Sequence, residues 1–201
     1  MTTAWDLLIV TRDDAAGSPV DPDDLSLALA GAELLDLIDS PAARLDGDRI
    51  VPGPAGTTGD SLLDQAAASL IRQQPYETVD DWLWRRGNKL SAAYADALEA
   101  EGYAVRPRRR WLPVRSDQPV LVDSPARERA AGRWASGEPV LSVLAAAAGR
   151  PGGDTGRAGQ VTDDAYATVL AAVSNAVTEL EAVRQRRRIE KDAFDNIWRA
   201  P

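Results

Sequence analysis

The chain has 201 residues with no cysteine and no histidine, and its formal net charge is −8. The missing side chains exclude a thiolate nucleophile, an imidazole general base, a disulfide framework and a zinc site of the usual ligand types. The acidic balance argues against nonspecific binding of nucleic acid, which requires a basic surface.

The amino-terminal residues carry no feature of an export signal. A short apolar run at residues 7–10 lacks both a basic region before it and a small-residue cleavage site after it. The longest other apolar stretch, residues 140–148, is well below the roughly 20 residues that span a bilayer. We therefore expect a cytoplasmic protein that contacts membranes only peripherally.

A long central helix is predicted after residue 21. Asp21 is a good helix-capping residue, and Pro22 suits the first helical position. The apolar residues that follow cover almost the whole circumference of the helix, which is typical of a buried helix. They are Leu25, Leu27, Leu29, Ala32, Leu34, Leu35, Leu37 and Ile38. Beyond this helix, the Asp46-Gly47 pair within residues 44–51 predicts a small β-hairpin.

Two further helices are predicted from capping boxes. Ser61 with Asp64, and Thr78 with Asp81, have the spacing at which side-chain oxygens accept hydrogen bonds from the free amides of a first turn. Three other helices are expected over residues 90–100, after Ser124 with Pro125, and after Thr162.

The two tryptophans of the Thr78 helix have different predicted environments. Trp82 and Trp84 lie on opposite sides of that helix, and Trp82 shares its apolar spacing with Val79 and Leu83. We expect Trp82 in the core and Trp84 partly exposed or at a contact.

These elements predict a mainly α fold, with a helical-bundle core, surrounding amphipathic helices and one or two small β-hairpins. The Gly-rich residues 149–161 predict a flexible linker within a single domain that spans residues 1–201.

Charge is distributed unevenly along the chain. Residues 1–104 carry 7 basic and 19 acidic side chains, a net −12, whereas residues 105–201 carry 16 and 12, a net +4. The positive excess lies in residues 105–134, and the prolines within residues 105–119 favour a strand pair over a helix there. The pattern predicts a basic hairpin that faces an anionic surface while the acidic remainder points away.

One segment of the chain carries a family resemblance. Residues 59–83 read GDSLLDQAAASLIRQQPYETVDDWL. This segment closely resembles, without gaps, the central segment of the Golgi phosphoprotein 3 family. The similarity extends through residues 29–37 and 98–102 and covers about residues 5–185, so the chain resembles a bacterial, actinobacterial-type member of that family.

The resemblance implies an α-helical fold around a hydrophobic helix bundle, with a β-hairpin used in self-association and membrane contact. Eukaryotic members of the family bind phosphatidylinositol 4-phosphate on Golgi membranes and retain glycosyltransferases through their cytosolic tails. Because bacterial relatives have no Golgi, the resemblance implies a membrane or adaptor class of function for this chain.

The positions of the family's phosphate-binding Trp and Arg residues correspond to Asp21, Ala30, Asn88 and Ser91, none of which is cationic. The resemblance and the charge pattern instead predict a lipid-binding set composed of nearby cations and the basic hairpin, in which guanidinium groups pair with lipid phosphates and apolar side chains enter the headgroup boundary. The set is Arg85, Arg86, Lys89, Arg106, Arg108, Arg109, Arg110, Trp111, Leu112 and Arg115.

The predicted function is a peripheral membrane adaptor that binds anionic, phosphoinositide-like headgroups. The expected partners are the lipid surface, a membrane or biosynthetic enzyme, and a second copy of the chain through the 105–119 hairpin, with no nucleic acid. The alternative is a soluble scaffold or accessory subunit of a biosynthetic complex without lipid binding. No enzyme, cofactor or metal site is expected, because the adjacent acid pairs do not converge on one bond and the glycines do not form a phosphate loop.

Overall fold

Eight α-helices, a 3-10 helix and two small antiparallel sheets make up the described part of the chain. This computed structural model describes residues 2–13, 19–54, 56–105 and 119–199, with side chains in the last helix as far as residue 192. In chain order the elements are α1 (Thr3–Arg12), α2 (Pro22–Asp39), β1 (Ala43–Asp46), β2 (Arg49–Pro52), α3 (Ser61–Ser69), α4 (Val79–Arg86), α5 (Leu90–Ala100), β3 (Ala104–Val105), β4 (Val120–Leu121), α6 (Pro125–Ala135), α7 (Pro139–Ala147), the 3-10 helix (Thr155–Gln160) and α8 (Asp164–Arg199). The predicted mainly α fold class is confirmed.

Helix α2 is the centre of the fold, as predicted. Asp21 caps it and Pro22 opens it, and every residue from Leu25 to Leu37 is buried. Neighbours therefore surround it on all sides: α1, α5, α7 and α8 pack against it, together with α3 and α4. A helix with apolar residues around its whole circumference is stable only when it is enclosed in this way.

Helix α8 approaches α2 very closely at Gly31. A Cβ atom at this position would collide with Val173 Cγ2 of α8 and would lie 3.7 Å from side chains of Leu83 and Leu144. The missing side chain thus lets the two helices pack closely near their middle. Among the described residues, no helix combines the length and the apolar character needed to cross a bilayer.

The hairpin predicted at Asp46-Gly47 is confirmed, and a second antiparallel strand pair flanks residues 106–118. β1 pairs with β2 from Ala43↔Pro52 to Asp46↔Arg49, and Gly47 occupies the turn with a φ of +61°. β3 pairs with β4 through Ala104↔Leu121 and Val105↔Val120. The residues between these last two strands, 106–118, lie outside the described part of the chain.

The observed caps of α3 and α8 differ from the predicted caps by one residue. The capping box of Thr78 and Asp81 is confirmed. Asp60, rather than Ser61, caps α3, because its carboxylate accepts hydrogen bonds from the amides of residues 62 and 63. Asp163, rather than Thr162, caps α8 in the same way. At both helix starts, a carboxylate one position away from the predicted hydroxyl makes the cap, and a negative charge there also suits the helix dipole.

The segment predicted as a linker contains regular structure. The 3-10 helix packs against α7, and Arg157 Nη1 donates to the carbonyl of Gly137 at 2.5 Å. Asp154 caps this short helix through the amide of Gly156. The sequence signal missed here was the Asp154 cap itself, which stands among glycines that favour a loop.

Candidate functional site

The amino-terminal end of α2 brings together charged groups from distant parts of the chain. Asp21 accepts hydrogen bonds from the amides of Asp23 and Asp24. Arg184 of α8 donates to the carboxylate of Asp24 at 2.7 Å, to that of Asp21, and to Asp23 at 3.4 Å. Burial raises the pKa of Asp24, and the hydrogen bond from Arg184 opposes that rise. One guanidinium group therefore holds three carboxylates at this end of α2.

Two clefts flank the first turn of α2. One has a volume of about 270 Å³ and is lined by Arg12, Pro22, Ser91, Glu99 and Pro119, among others. The other has a volume of about 180 Å³ and is lined by Asp23, Trp84, Asn88, Lys89 and Leu180, among others. Pro119, the first described residue after 106–118, therefore lies beside the first turn of α2.

The base of the predicted basic hairpin is described and is apolar. The side chains of the paired residues Val105 and Val120 are 55% and 56% exposed, and Val122 is also exposed. An exposed valine is common, but three close together at one strand pair form a small apolar surface. The predicted lipid-binding residues of the hairpin itself lie outside the described residues: Arg106, Arg108, Arg109, Arg110, Trp111, Leu112 and Arg115.

The structure gives two other predicted lipid-binding residues internal partners. Arg85 donates two hydrogen bonds from Nη2 to the carboxylate of Glu77, the shorter at 2.7 Å, and its guanidinium lies over the ring of Trp82. Arg86 donates to Glu33 at 2.7 Å and 2.8 Å. A lipid phosphate would have to compete with these carboxylates for either guanidinium group.

Glu33 forms the buried centre of one of these pairs. Its side chain is fully buried on α2, and it also accepts a hydrogen bond of 3.1 Å from the hydroxyl of Tyr94. Burial raises the pKa of Glu33, and the hydrogen bonds from Arg86 and Tyr94 act in the opposite direction. Arg86 therefore stabilises the core through its ion pair with Glu33.

Lys89 differs from its two neighbours. It is exposed in the turn between α4 and α5, with a φ of +58°, and it lines the second cleft. In the part of the chain that the structure describes, its ammonium group forms no ion pair. Of the predicted cations on α4 and the following turn, Lys89 is thus the one available to a ligand.

The arginines of α6 are bound to α1. Asp6, only 2% exposed, pairs with Arg129 at 2.7 Å and with Arg133 at 2.8 Å, while Arg127 pairs with Asp13 at 2.6 Å. The positive excess predicted over residues 105–134 thus has two parts. The α6 part is neutralised by internal carboxylates, so residues 106–118 carry the remaining excess.

Comparison with known proteins agrees with the sequence resemblance. The model of the family described as Golgi phosphoprotein 3 (GPP34) matches residues 4–198, nearly the whole chain. The chain belongs to the Golgi phosphoprotein 3 family. No individual curated protein shows a significant match.

Of the four positions at which the sequence resemblance places the family's phosphate-binding residues, three lie at the amino-terminal end of α2. Asp21 caps the helix, Asn88 lines the second cleft, and Ser91 lines the first. The fourth, Ala30, is fully buried, and its carbonyl accepts a hydrogen bond from Trp82. The cations described at this end of α2 are Lys89, which is exposed, and Arg184, which pairs with Asp21, Asp23 and Asp24.

Arg184 is the residue of this site that the sequence prediction missed. The basic run at residues 184–188 is typical of a solvated helix end, but its first member binds α2 instead. The signal was present in the spacing, because Arg184 follows the apolar residues Val173, Val177 and Leu180 on the same face of α8. Its acidic partners are 160 residues or more away in the chain.

The opposite end of α2 is acidic. Asp36, Asp39, Asp60 and Glu101 line a cleft of about 580 Å³ there. Asp36 accepts hydrogen bonds from the amides of residues 3 and 4, at 2.8 Å and 3.1 Å, and so joins the start of α1 to the end of α2. Burial raises the pKa of Asp36 to about 6, although both amide hydrogen bonds oppose the rise.

The raised pKa of Asp36 predicts a pH-dependent stability difference between the wild type and the Asp36→Asn variant. An unfolded aspartate has a pKa of ~3.9. Between about pH 4 and 6, Asp36 of the folded state therefore holds a proton that the unfolded state has lost. Wild-type stability from this group is therefore lost as the pH rises through about 6. From pH 4 to 7, urea unfolding should show the stability difference shifting in favour of the variant by about 2 kcal/mol. A pH-independent difference would contradict the prediction.

Proposed function

We propose that this member of the Golgi phosphoprotein 3 family is a peripheral membrane-associating adaptor. It binds anionic, phosphoinositide-like lipid headgroups through the basic segment at residues 106–118, and it recruits a membrane or biosynthetic enzyme to that surface. The observation that carries the proposal is the pairing of Val105 with Val120. This pairing joins the chain on either side of the segment, and the paired valines are exposed and apolar.

The composition of the segment suits a lipid surface. Its sequence, RPRRRWLPVRSDQ, has five arginines and one aspartate, a net +4, together with a tryptophan and a leucine. Each cation near an anionic leaflet contributes about 1 kcal/mol, and an indole is favourable at the headgroup boundary. Five cations would thus give weak but useful affinity without a dedicated pocket.

The internal ion pairs also support this assignment. The other candidates, Arg85 and Arg86, are paired with carboxylates that are 3% exposed and fully buried, respectively. Segment 106–118 has a single acidic residue to offset its five arginines. We propose that Lys89, exposed in the turn between α4 and α5 near the amino-terminal end of α2, adds a further lipid contact. We also propose that the hairpin contacts a second copy of the chain.

Removal of the basic and aromatic side chains tests the proposal. We expect Arg108, Arg109, Arg110 and Trp111, all changed to alanine, to weaken binding to phosphatidylglycerol-containing vesicles by about 100-fold, because three cations at about 1 kcal/mol each are lost. Cosedimentation at low and high salt measures the affinity, and wild-type binding should fall as salt screens the charges.

A charge-matched control separates the hairpin from net charge. The variant with Arg44, Arg49 and Arg72 changed to alanine loses three exposed cations near β1, β2 and the end of α3, and we expect it to bind nearly as well as the wild type. Equal binding by the wild type and the hairpin variant would contradict the proposal. A stable protein partner in a pull-down, with no binding of wild type to vesicles, would instead favour the soluble scaffold.

A further inference from the structure

Helix α8 extends well past the end of α2. The two helices are antiparallel, because Tyr166 near the start of α8 lies close to Asp39 at the end of α2, whereas Arg184 binds Asp21 and Asp24 at its beginning. Helix α8 then continues to Arg199, about 22 Å farther at a rise of about 1.5 Å per residue. The part after Arg184 thus projects from the amino-terminal end of α2.

One face of α8 changes from apolar to basic after Leu180, where the helix leaves the body. Along the body, this face carries the buried residues Val173 and Ala176 and the partly buried Leu180. With helical spacing, the same face continues through Arg184 to Arg187, Arg188 and Lys191, at positions i+3, i+4 and i+7 from Arg184. We call the last three residues the basic face of α8.

The charges of the basic face are largely free. Every residue from 185 to 192 is exposed. In the described part of the chain, Arg187 and Lys191 form no ion pair, and Arg188, 69% exposed, has only a 3.3 Å contact with Glu181. The neighbouring Arg186 lies outside this face, one turn before Glu190.

We infer that the basic face of α8 is a second contact with anionic lipid headgroups, at the end of α2 beside which Pro119 lies. This inference rests on the proposed function and extends it. Arg184, which precedes the basic face, and Pro119, which follows segment 106–118, both lie at the first turn of α2. Two weak contacts that share one surface bind more tightly than either alone, because the second binds at high effective concentration.

Charge complementarity favours a lipid surface as the partner of this face. Residues 106–118 carry +4 and residues 185–192, which follow the paired Arg184, carry +2, so the rest of the chain carries −14. An anionic bilayer would repel that remainder, and the acidic cleft at Asp36 and Asp39 lies at the opposite end of α2. Binding is therefore favourable only in the orientation that presents the α2 amino-terminal end to the bilayer.

Two adjacent arginines allow a matched test. Arg187→Glu and Arg186→Glu change the net charge equally, but only Arg187 belongs to the basic face of α8. We expect Arg187→Glu to weaken binding to vesicles of phosphatidylglycerol and phosphatidylcholine about tenfold, and Arg186→Glu about threefold or less. Arg187→Lys should bind like the wild type. Circular dichroism should show unchanged helix content in all three, because these side chains are exposed.

The possible outcomes separate this inference from the proposed function. If the wild type does not bind these vesicles, the proposed function fails and the inference fails with it. If the wild type binds and the hairpin variant is weakened, but Arg187→Glu and Arg186→Glu bind equally, the inference alone is overturned. It is also overturned if Arg187→Glu lowers the mass measured by light scattering without weakening vesicle binding, because the face would then contact a second copy.

Discussion

Replacement of Arg86 by methionine should lower the free energy of unfolding by about 3–5 kcal/mol. The guanidinium group donates two hydrogen bonds to Glu33 and a third to the carbonyl of Leu62. Methionine fills much of the same volume but leaves the fully buried carboxylate of Glu33 with only the hydroxyl of Tyr94. A buried charge without a counter-ion is far more costly than the pair itself is stabilising. Urea unfolding followed by far-UV circular dichroism measures the loss.

The double variant Glu33→Gln with Arg86→Met distinguishes this cause from lost packing. Its buried amide is neutral, so we expect it to be more stable than Arg86→Met alone by about 1 kcal/mol or more. Arg188→Met, at an arginine that is 69% exposed, should stay within about 0.5 kcal/mol of the wild type. Equal losses at Arg86 and Arg188 would show that Glu33 does not depend on Arg86.

This result bears directly on how lipid-binding variants are interpreted. Arg85 and Arg86 are predicted lipid-binding residues, yet the structure places both in pairs with buried carboxylates. A weaker vesicle affinity after their removal would follow from a destabilised body as readily as from a lost phosphate contact. Variants in segment 106–118 and on the basic face of α8 avoid this ambiguity, because they leave these internal ion pairs intact.

Local features of the chain predicted most of the fold. The cap at Asp21, the all-round apolar surface of α2, the Gly47 turn and the capping box at Thr78 each depend on residues within one or two turns of each other. Such signals are readable from sequence because the physical interaction is local. The errors at Ser61 and Thr162 were shifts of one residue between adjacent capping side chains.

The candidate site was predicted less well because its chemistry depends on distant partners. An arginine in a sequence does not reveal which carboxylate it will meet. Arg86 meets Glu33 across 53 residues, and Arg184 meets Asp24 across 160. Composition therefore overestimated the basic surface around residues 105–134, where the α6 arginines bind α1, and it did not indicate that Arg184 of α8 binds α2. Only the charged side chains that lack internal ion-pair partners contribute to the charge of the protein surface.

The second large expected effect is the loss of stability on replacing a tryptophan of α4. Trp82→Ala should lower the free energy of unfolding by about 3–5 kcal/mol, because it removes a large side chain from a packed core and leaves a cavity. Trp82 is fully buried, and its indole N–H donates to the carbonyl of Ala30 at 2.9 Å, so the substitution also removes the hydrogen-bond partner of a backbone group in the central helix.

Trp84→Ala is the matched control for this substitution, since it removes the same side chain from the same short helix. Trp84 is 38% exposed and lines the cleft beside Lys89, and we expect a loss of about 1 kcal/mol or less on urea unfolding. The sequence placed these residues on opposite sides of α4, and the structure confirms Trp82 in the core. A larger stability loss for Trp84→Ala than for Trp82→Ala would contradict the burial of Trp82 where α4 packs against α2 and α8. A small stability loss at Trp84 would leave this exposed indole, next to Lys89 at the amino-terminal end of α2, free for substitution in vesicle-binding experiments on a folded protein.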